Sequence, residues 1–439
     1  VKVVFLCGGV GKRMFPITED KFLIDFMGRT LLERQIMMAR EAGLNDFVII
    51  GNPSNIDRIR QLATAITDVS FSFSIQQQAR GIADALRGAA SLLDGEILIV
   101  NPNDVFEAEA YRALLSSYTE KKACSYLLGY RVKQYFPGGY LAADRDGRLI
   151  HILEKPLPGT EPSNLVNILL HLHTDSAALL RSIAAIKTTR DDAYECALDN
   201  MAREGYSIQV VPYDGLWAPI KYPWHILDIA RLLLDSCGRK VSPSVTISDH
   251  AVISGKVILG ENVHILENAV IRGPVYIGPN TVIGNNALIR EYSHIGSNCV
   301  VGFSTEVKGS YIGNGCWFHS NYIGDSIIGN NCSFGAGAVT ANLRFDENEI
   351  KVKSEQEWLS TGRDHFGAII GDNCKIGINS GILPGRRIGP GSIVGSHVCL
   401  DIDLTPGMMA LGRPQYKLVR HEIELNAEKN YELKKHLEI

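Results

Sequence analysis

Every sixth residue from Val241 to Val307 is aliphatic: Val241, Ile247, Ile253, Leu259, Ile265, Ile271, Ile277, Ile283, Ile289, Ile295, Val301 and Val307. The beat returns as Ile370, Ile376, Ile382, Ile388, Val394 and Leu400. A period of six fits neither a helix, with about 3.6 residues per turn, nor an ordinary strand, with a period of about 2. It predicts a parallel β-helix, in which each hexapeptide supplies one short strand and one turn, and three close a triangular coil. The repeated aliphatic residue points inward and stacks on its equivalents, because one coil cannot bury that face alone. From Val307 to Phe334 the inward positions are Ile312, Phe318, Ile323 and Ile328, spaced five or six apart. Between Asn342 and Ala368 the period is lost in a polar, charged stretch. This predicts a loop over 342–369 thrown out of the stack, and insertions in repeat arrays map to one functional face.

Residues 1–232 carry a different rhythm. Apolar runs at 3–7, 46–50, 70–75 and 97–100 read as strands, and amphipathic stretches at 31–42, 56–65 and 82–93 as helices. That alternation predicts an α/β, doubly wound, Rossmann-like sheet with ligands at the carboxyl ends of its strands. Strands at 126–131, 139–143 and 149–154, the last two joined by a turn at 144–147, predict an antiparallel insertion. A helix over 224–235 leads into a linker at 236–240. The predicted organisation is a first domain over 1–235, a left-handed parallel β-helix of hexapeptide repeats over 236–415, and a helical tail over 416–439.

Composition narrows the classes. The chain has 439 residues, 45% hydrophobic and 21% charged, with a formal net charge of −4. Such a balance predicts a soluble protein without a polycationic surface for nucleic acid. No apolar run reaches the roughly 18 residues of a membrane span. Nine cysteines are scattered without a CxxC pair, which predicts reduced thiols and a cytoplasmic setting.

The first candidate chemistry lies in the loop Gly8-Gly9-Val10-Gly11-Lys12-Arg13-Met14. Glycines let the backbone turn its N–H groups onto a polyphosphate, and Lys12 and Arg13 compensate its charge. The loop is neither GxxxxGK[ST] nor GxGxxG, and alone it is also compatible with a plain strand–helix turn. More motifs follow in order: Pro16-Ile17-Thr18 with Lys21, Gln76 with Gly81-Ile82-Ala83-Asp84-Ala85, Asn103-Asp104, then Gly139, Glu154-Lys155 and Asn167. The series resembles the signature of sugar-phosphate nucleotidyltransferases across most of 1–232. The resemblance implies attack by a sugar-1-phosphate on the α-phosphorus of UTP or dTTP, with release of pyrophosphate. It implies Gly8, Gly9, Gly11, Gln76 and Gly81 around the nucleotide, Arg13 on the leaving pyrophosphate, and Lys21 on the reacting phosphates. It further implies Gly139, Glu154 and Asn167 around the sugar, with Asp104 on Mg²⁺. The chain departs from the pattern at Asp20, where proline is usual before the lysine, and in a shortened stretch from Pro16 to Lys21. It departs again at Trp217-Ala218-Pro219-Ile220-Lys221, which has no side-chain oxygen where a second metal ligand is expected.

The second candidate chemistry lies on the coil. Hexapeptide β-helices serve as acyltransferases, carbonic anhydrases or scaffolds. His250, His264, His294, His319 and His397 are too dispersed in repeat position to predict a zinc triad, which leaves acyl transfer favoured. The segment His319-Ser320-Asn321-Tyr322-Ile323-Gly324-Asp325, followed by Phe334-Gly335-Ala336-Gly337 and Thr340-Ala341-Asn342, resembles the acetyltransferase half of bifunctional enzymes that make UDP-N-acetylglucosamine, archaeal counterparts included. The resemblance implies an acetyl-CoA co-substrate, His319 as general base, Tyr322 and Asn342 in the site, and Arg290, Lys308 and Lys351 on the phosphate of an aminohexose-1-phosphate. It also implies a homotrimer with acetyl-CoA between subunits near residues 370–400. Arg290 and Lys308 stand 18 residues apart, one full coil, so both project from one side. Two other readings stay open: nucleotidyl transfer alone with the β-helix as an oligomerisation scaffold, or a non-catalytic nucleotide-sugar-binding regulatory subunit.

Overall fold

The computed structural model describes residues 1–188, 192–354, 357–413 and 418–420. The tail helix expected over 416–439 therefore lies, except for 418–420, outside the described residues.

In the first domain the strand Lys2–Leu6 pairs in parallel with Asp46–Gly51 on one side and Ile97–Val100 on the other. Ser70–Ile75 continues the sheet beyond Asp46–Gly51. Leu165–His173 runs antiparallel to Ile97–Val100 and carries the pair Gly139–Ala143 and Leu149–Glu154 at the far edge. The inner strands are apolar along their whole length because helices cover both faces. Val3 and Phe5 pack with Leu32, Ile36, Tyr111 and Leu114 on one face. Val4 packs with Leu86, Leu179 and Leu198 on the other. The helix Leu31–Glu41 opens with a capping box: Thr30 Oγ1 accepts from the Glu33 N–H at 3.2 Å, and Glu33 Oε2 from the Thr30 N–H at 2.8 Å. Strand order reverses between Lys2–Leu6 and Ile97–Val100, so the loops after these two strands open a crevice at the switch point.

The second domain is the predicted β-helix. Its short strands stack into three parallel sheets of eight, nine and eight strands. In one column Ile271 pairs with Ile289, Ile289 with Val307, Val307 with Ile323, Ile323 with Thr340 and Thr340 with Ile382. The inward residues of the faltering coils, Ile312, Phe318, Ile323, Ile328 and Phe334, are buried as expected. Asn262, Asn268, Asn280, Asn286 and Asn298 turn corners at φ between 54 and 58°. Asparagine visits that left-handed region more readily than most residues, so the corners hold their shape without glycine at every coil.

The insertion leaves the stack but does not stay in solvent. It forms a hairpin, Lys351–Ser354 with Glu357–Ser360. Ile350, Val352 and Phe366 pack with Ile220, Trp224 and Ile226 of the first domain and with Tyr311, Ile327 and Ile369 of the coils. Arg363 pairs with Asp228 on the helix His225–Ser236. The two domains also meet directly. Tyr311 donates its hydroxyl to Asp25 O at 2.8 Å, the Met27 N–H donates to His294 Nε2 at 3.0 Å, and Thr18 donates to Asp372 at 3.2 Å.

Two candidate active sites

A cavity of about 460 Å³ opens at the switch point of the first domain, lined among others by Gly8, Gly9, Gly11, Arg13, Lys21, Gln76, Gly81, Asn101 and Asn103. The fold thus gathers the expected nucleotide residues from two loops, with Asn101 and Asn103 added from a third. Gln76 fixes one wall: its Nε2 donates to Gly81 O and to Asp84 Oδ2, each at 3.0 Å. A Cβ on Gly8 would sit 2.2 Å from Gln76 Oε1, so any larger residue there would displace the Gln76 side chain. Gly139, Glu154 and Asn167 come together at the neighbouring sheet edge, where a Cβ on Gly139 would meet Glu154 Oε1 at 2.4 Å and Asn167 Cβ at 3.6 Å.

Arg13 is exposed, with its guanidinium carbon 6.0 Å from the centre of the Tyr222 ring. Lys21 Nζ donates to Ile220 O at 3.0 Å and Lys221 O at 3.4 Å. Burial, with Arg13 adding repulsion, brings the Lys21 ammonium down to about 8. Asp20, the departure from the expected proline, accepts from Asn55 Nδ2 at 2.7 Å and so ties this loop to the start of the helix Ile56–Thr64. Asp104 is 8% exposed, and burial pushes its carboxyl up to about 6. Its Oδ2 accepts from Trp217 Nε1 at 3.3 Å. Lys221 lies close by, with its ammonium brought down to about 8 by burial first. By sequence alone Lys221 is indistinguishable from a solvated surface lysine; the structure places it beside Asp104, since the strand Trp217–Pro219 pairs with Asp104–Phe106.

On the β-helix, Arg290 and Lys308 do stack on one face, the Arg290 N–H donating to Val307 O at 2.8 Å. Arg290 pairs with Glu306 at 3.0 Å and Lys308 with Asp325 at 2.9 Å. Asp325 Oδ2 also accepts from Asn342 Nδ2 at 2.5 Å, and Asn342 Oδ1 accepts from the Tyr322 hydroxyl at 3.4 Å. Lys308, Asp325, Asn342 and Tyr322 are therefore one connected group over three successive coils. Asp325 is the member that sequence reasoning left without a role. Its signal was a Gly-Asp step ending a coil strand, and the residue adopts φ 44°. His319 lies at the preceding corner of the same coil. It is exposed, its backbone N–H is held by Asn321 Oδ1 at 2.8 Å, and its ring lies 6.4 Å from that of Trp317. Lys351 lines a cavity with Arg344, Trp358 and Arg386.

A crevice lined by a glycine loop, Arg13 and Lys21 at a Rossmann-like switch point, and an ion-paired, hydrogen-bonded face on a hexapeptide β-helix, define a two-domain transferase. Comparison with known proteins agrees on both halves. The nucleotidyl transferase family model matches residues 2–218, and the bacterial transferase hexapeptide model matches 256–291 and 367–401. A Sulfurisphaera tokodaii protein named bifunctional sugar-1-phosphate nucleotidylyltransferase/acetyltransferase is 32% identical over 410 residues, 91% of this chain and 98% of the relative. A Methanococcus maripaludis protein named bifunctional protein GlmU is 35% identical over 405 residues, 91% of this chain and 95% of the relative. One of the same name from Methanocaldococcus jannaschii is 30% identical with the same coverage. The chain belongs to the family of bifunctional sugar-1-phosphate nucleotidylyltransferase/acetyltransferases.

Proposed function

We propose that the β-helix acetylates the amine of an aminohexose-1-phosphate with acetyl-CoA, and that the first domain transfers a nucleotidyl group from UTP or dTTP to a sugar-1-phosphate. The observation that carries the first half is the group Lys308–Asp325–Asn342–Tyr322 beside Arg290. Two cations held on carboxylates on one face suit a phosphate, which would draw Arg290 and Lys308 into bidentate or point-charge contact. Asn342 and Tyr322 then offer hydrogen bonds to the sugar and its nitrogen. The amine must be neutral to attack the thioester carbonyl. His319 takes its proton as the new N–C bond forms, and the C–S bond breaks to release CoA thiolate. Acetyl-CoA would lie along the later coils, where Ala341, Leu343, Phe345, Leu383 and Arg386 border a cavity of about 500 Å³. Phe345 is fully exposed and Leu343, Ile378 and Ile402 partly so, which favours a neighbouring subunit over this region and the closed symmetry of a trimer.

In the first domain a sugar-1-phosphate oxygen forms a bond to the α-phosphorus, and the α–β bridging bond breaks with its electron pair leaving on pyrophosphate. Arg13 and Lys21 steady these charges, while positioning does most of the work. An added Cβ meets nothing within 4 Å at Gly9 and only ordinary contacts at Gly11, so a closely approaching phosphate, rather than chain packing, is what favours glycine there.

Mg²⁺ fits this donor set poorly, so no step is routed through it. Among the described residues no group of three or more His, Cys, Asp or Glu could hold a metal. The thiols carry no disulfide among the described residues, and no described helix is long and apolar enough to cross a membrane. Both features favour a cytoplasmic setting. The test is a matrix of glucose-, N-acetylglucosamine-, glucosamine- and galactosamine-1-phosphate against UTP and dTTP, with pyrophosphate release and acetyl-CoA consumption read separately. Acetyl-CoA consumption with neither amino sugar would remove the acetyl half of the proposal.

A further inference from the structure

We propose that the nucleotide cavity of the first domain works without a divalent cation held by the protein, and that Lys221 supplies the compensating positive charge in its place. The inference rests on the nucleotidyl reading above.

The argument begins at the ladder between Asp104–Phe106 and Trp217–Pro219. Its register sets Pro219 directly opposite Asp104. Side chains opposed in an antiparallel pair have Cβ atoms about 4.5–5.5 Å apart. That is the position from which a second carboxylate could share a cation with Asp104, and a pyrrolidine ring occupies it. Mg²⁺ takes oxygen ligands only, in a near-octahedral set, and loses its waters reluctantly. Asp104 alone offers it little, and both of its oxygens already face donors. Oδ2 accepts from the Trp217 indole N–H at 3.3 Å, and Oδ1 faces Asn101 Nδ2 at 3.5 Å.

The charges nearby point the same way. Lys21 and Lys221 are the cations that act on the Asp104 carboxylate. Two ammonium groups around one carboxylate leave the pocket net positive before any metal arrives, so a divalent cation would be repelled and a tetra-anionic triphosphate attracted. Lys221 is also fixed in place. Its Nζ donates to Pro137 O at 2.8 Å and lies 3.7 Å from the centre of the Phe136 ring. Its backbone carbonyl accepts from Lys21 Nζ, so the two ammonium groups belong to one small assembly beside the cavity. With two N–H groups remaining, Lys221 can meet phosphate oxygens without leaving that anchor. The bonding changes stay those of nucleotidyl transfer, one P–O bond formed and one broken, with no further reactant.

The test is calorimetric binding of UTP and of dTTP to the full chain, in EDTA and in excess Mg²⁺. The expected result is a triphosphate that binds at least as tightly in EDTA as in Mg²⁺. Lys221→Met should weaken binding in EDTA by about tenfold, the loss of one charge-assisted contact, and Lys221→Arg should restore most of it. Pro219→Asp, which places a carboxylate opposite Asp104, should make binding tighter in Mg²⁺ than in EDTA. Tightening by Mg²⁺ of about tenfold or more in the unaltered chain, abolished by Asp104→Asn, would overturn the inference while leaving nucleotide binding itself intact. Failure of both triphosphates to bind under either condition would instead overturn the nucleotidyl reading from which the inference starts.

Discussion

Lys308 and Asp325, 17 residues apart in the chain, form an ion pair at 2.9 Å between successive coils, and the same carboxylate oxygen holds Asn342. Asp325 thus sets at once the positions of the ammonium and the amide proposed to meet the phosphate and the sugar. Their side chains are 25% and 15% exposed, so solvent screens the pair only partly.

Asp325→Asn keeps the shape of the side chain and removes its charge. Lys308 loses its counter-ion and the Asn342 amide its stronger acceptor. Acetyl transfer should fall by about 10- to 100-fold, on the order of 1.4–2.7 kcal/mol of transition-state stabilisation. Nucleotidyl transfer should not change. The split between kcat and KM for the amino-sugar phosphate checks the assignment: a rise in KM marks lost phosphate binding, and a drop in kcat alone marks misplacement of Asn342.

Gly8→Ala places a methyl group on Gln76 Oε1, and Gln76 is the side chain that holds Gly81 and Asp84. The wall of the nucleotide cavity must then shift. Triphosphate affinity should fall by about tenfold or more, equivalent to 1.4 kcal/mol or above, while acetyl transfer persists. Titration of UTP or dTTP against the variant measures it.

His294 predicts a pH dependence of stability. It is buried between the Tyr276 and Tyr311 rings, 4.7 and 4.6 Å away, and burial lowers its imidazole to about 3. Asp25 stands 4.0 Å from its Nε2 and Arg34 opposes protonation. The unfolded imidazole takes a proton below about pH 6.5, whereas the folded one stays neutral until about pH 3. Between those values the unfolded state binds more protons, so this contribution is complete above pH 6.5 and shrinks as pH falls. His173, brought to about 3 by burial, acts in the same direction. Unfolding free energy should drop by about 2 kcal/mol per such imidazole between pH 7 and pH 5. His294→Gln should show a smaller drop in urea denaturation at the same two pH values.

Arg363→Ala removes the partner of Asp228 and loosens the hairpin from the first domain. Because Ile350, Val352 and Phe366 remain buried, the cost should be modest, about 1 kcal/mol or less. Phe366→Ala, which empties a fully buried aromatic site, should cost about 3–5 kcal/mol. Parallel denaturation curves separate the two.

The architecture was legible because the six-residue beat holds over most of the second half and the strand–helix alternation over most of the first. A six-residue beat has one common structural meaning, and near-continuous apolar strands between amphipathic helices have another. The order of short motifs likewise led to Gly8, Gln76, Gly139 and Glu154, which the fold brings to one crevice and its edge. What escaped were relations between segments distant in the chain. Ile350, Val352 and Phe366 are isolated apolar residues in a polar stretch, and nothing local indicates that they cover Trp224. Lys221 reads as a solvated lysine until the pairing of Trp217–Pro219 with Asp104–Phe106 brings it beside Asp104. Asp325 has a clear role only once Lys308 and Asn342 are seen on either side of it. His319 shows the reverse case: its spacing was readable, yet among the described residues its ring makes no hydrogen bond within the chain, so its action must be tested on substrate.

That test is the paired rate measurement on His319→Ala, reading acetyl-CoA consumption with glucosamine- and galactosamine-1-phosphate beside pyrophosphate release with UTP and dTTP. Loss of the general base should lower acetyl transfer by about 10²- to 10⁴-fold and leave pyrophosphate release unchanged. Acetyl transfer at the unaltered rate, or a matching fall in both activities, would contradict two separate active sites on one chain.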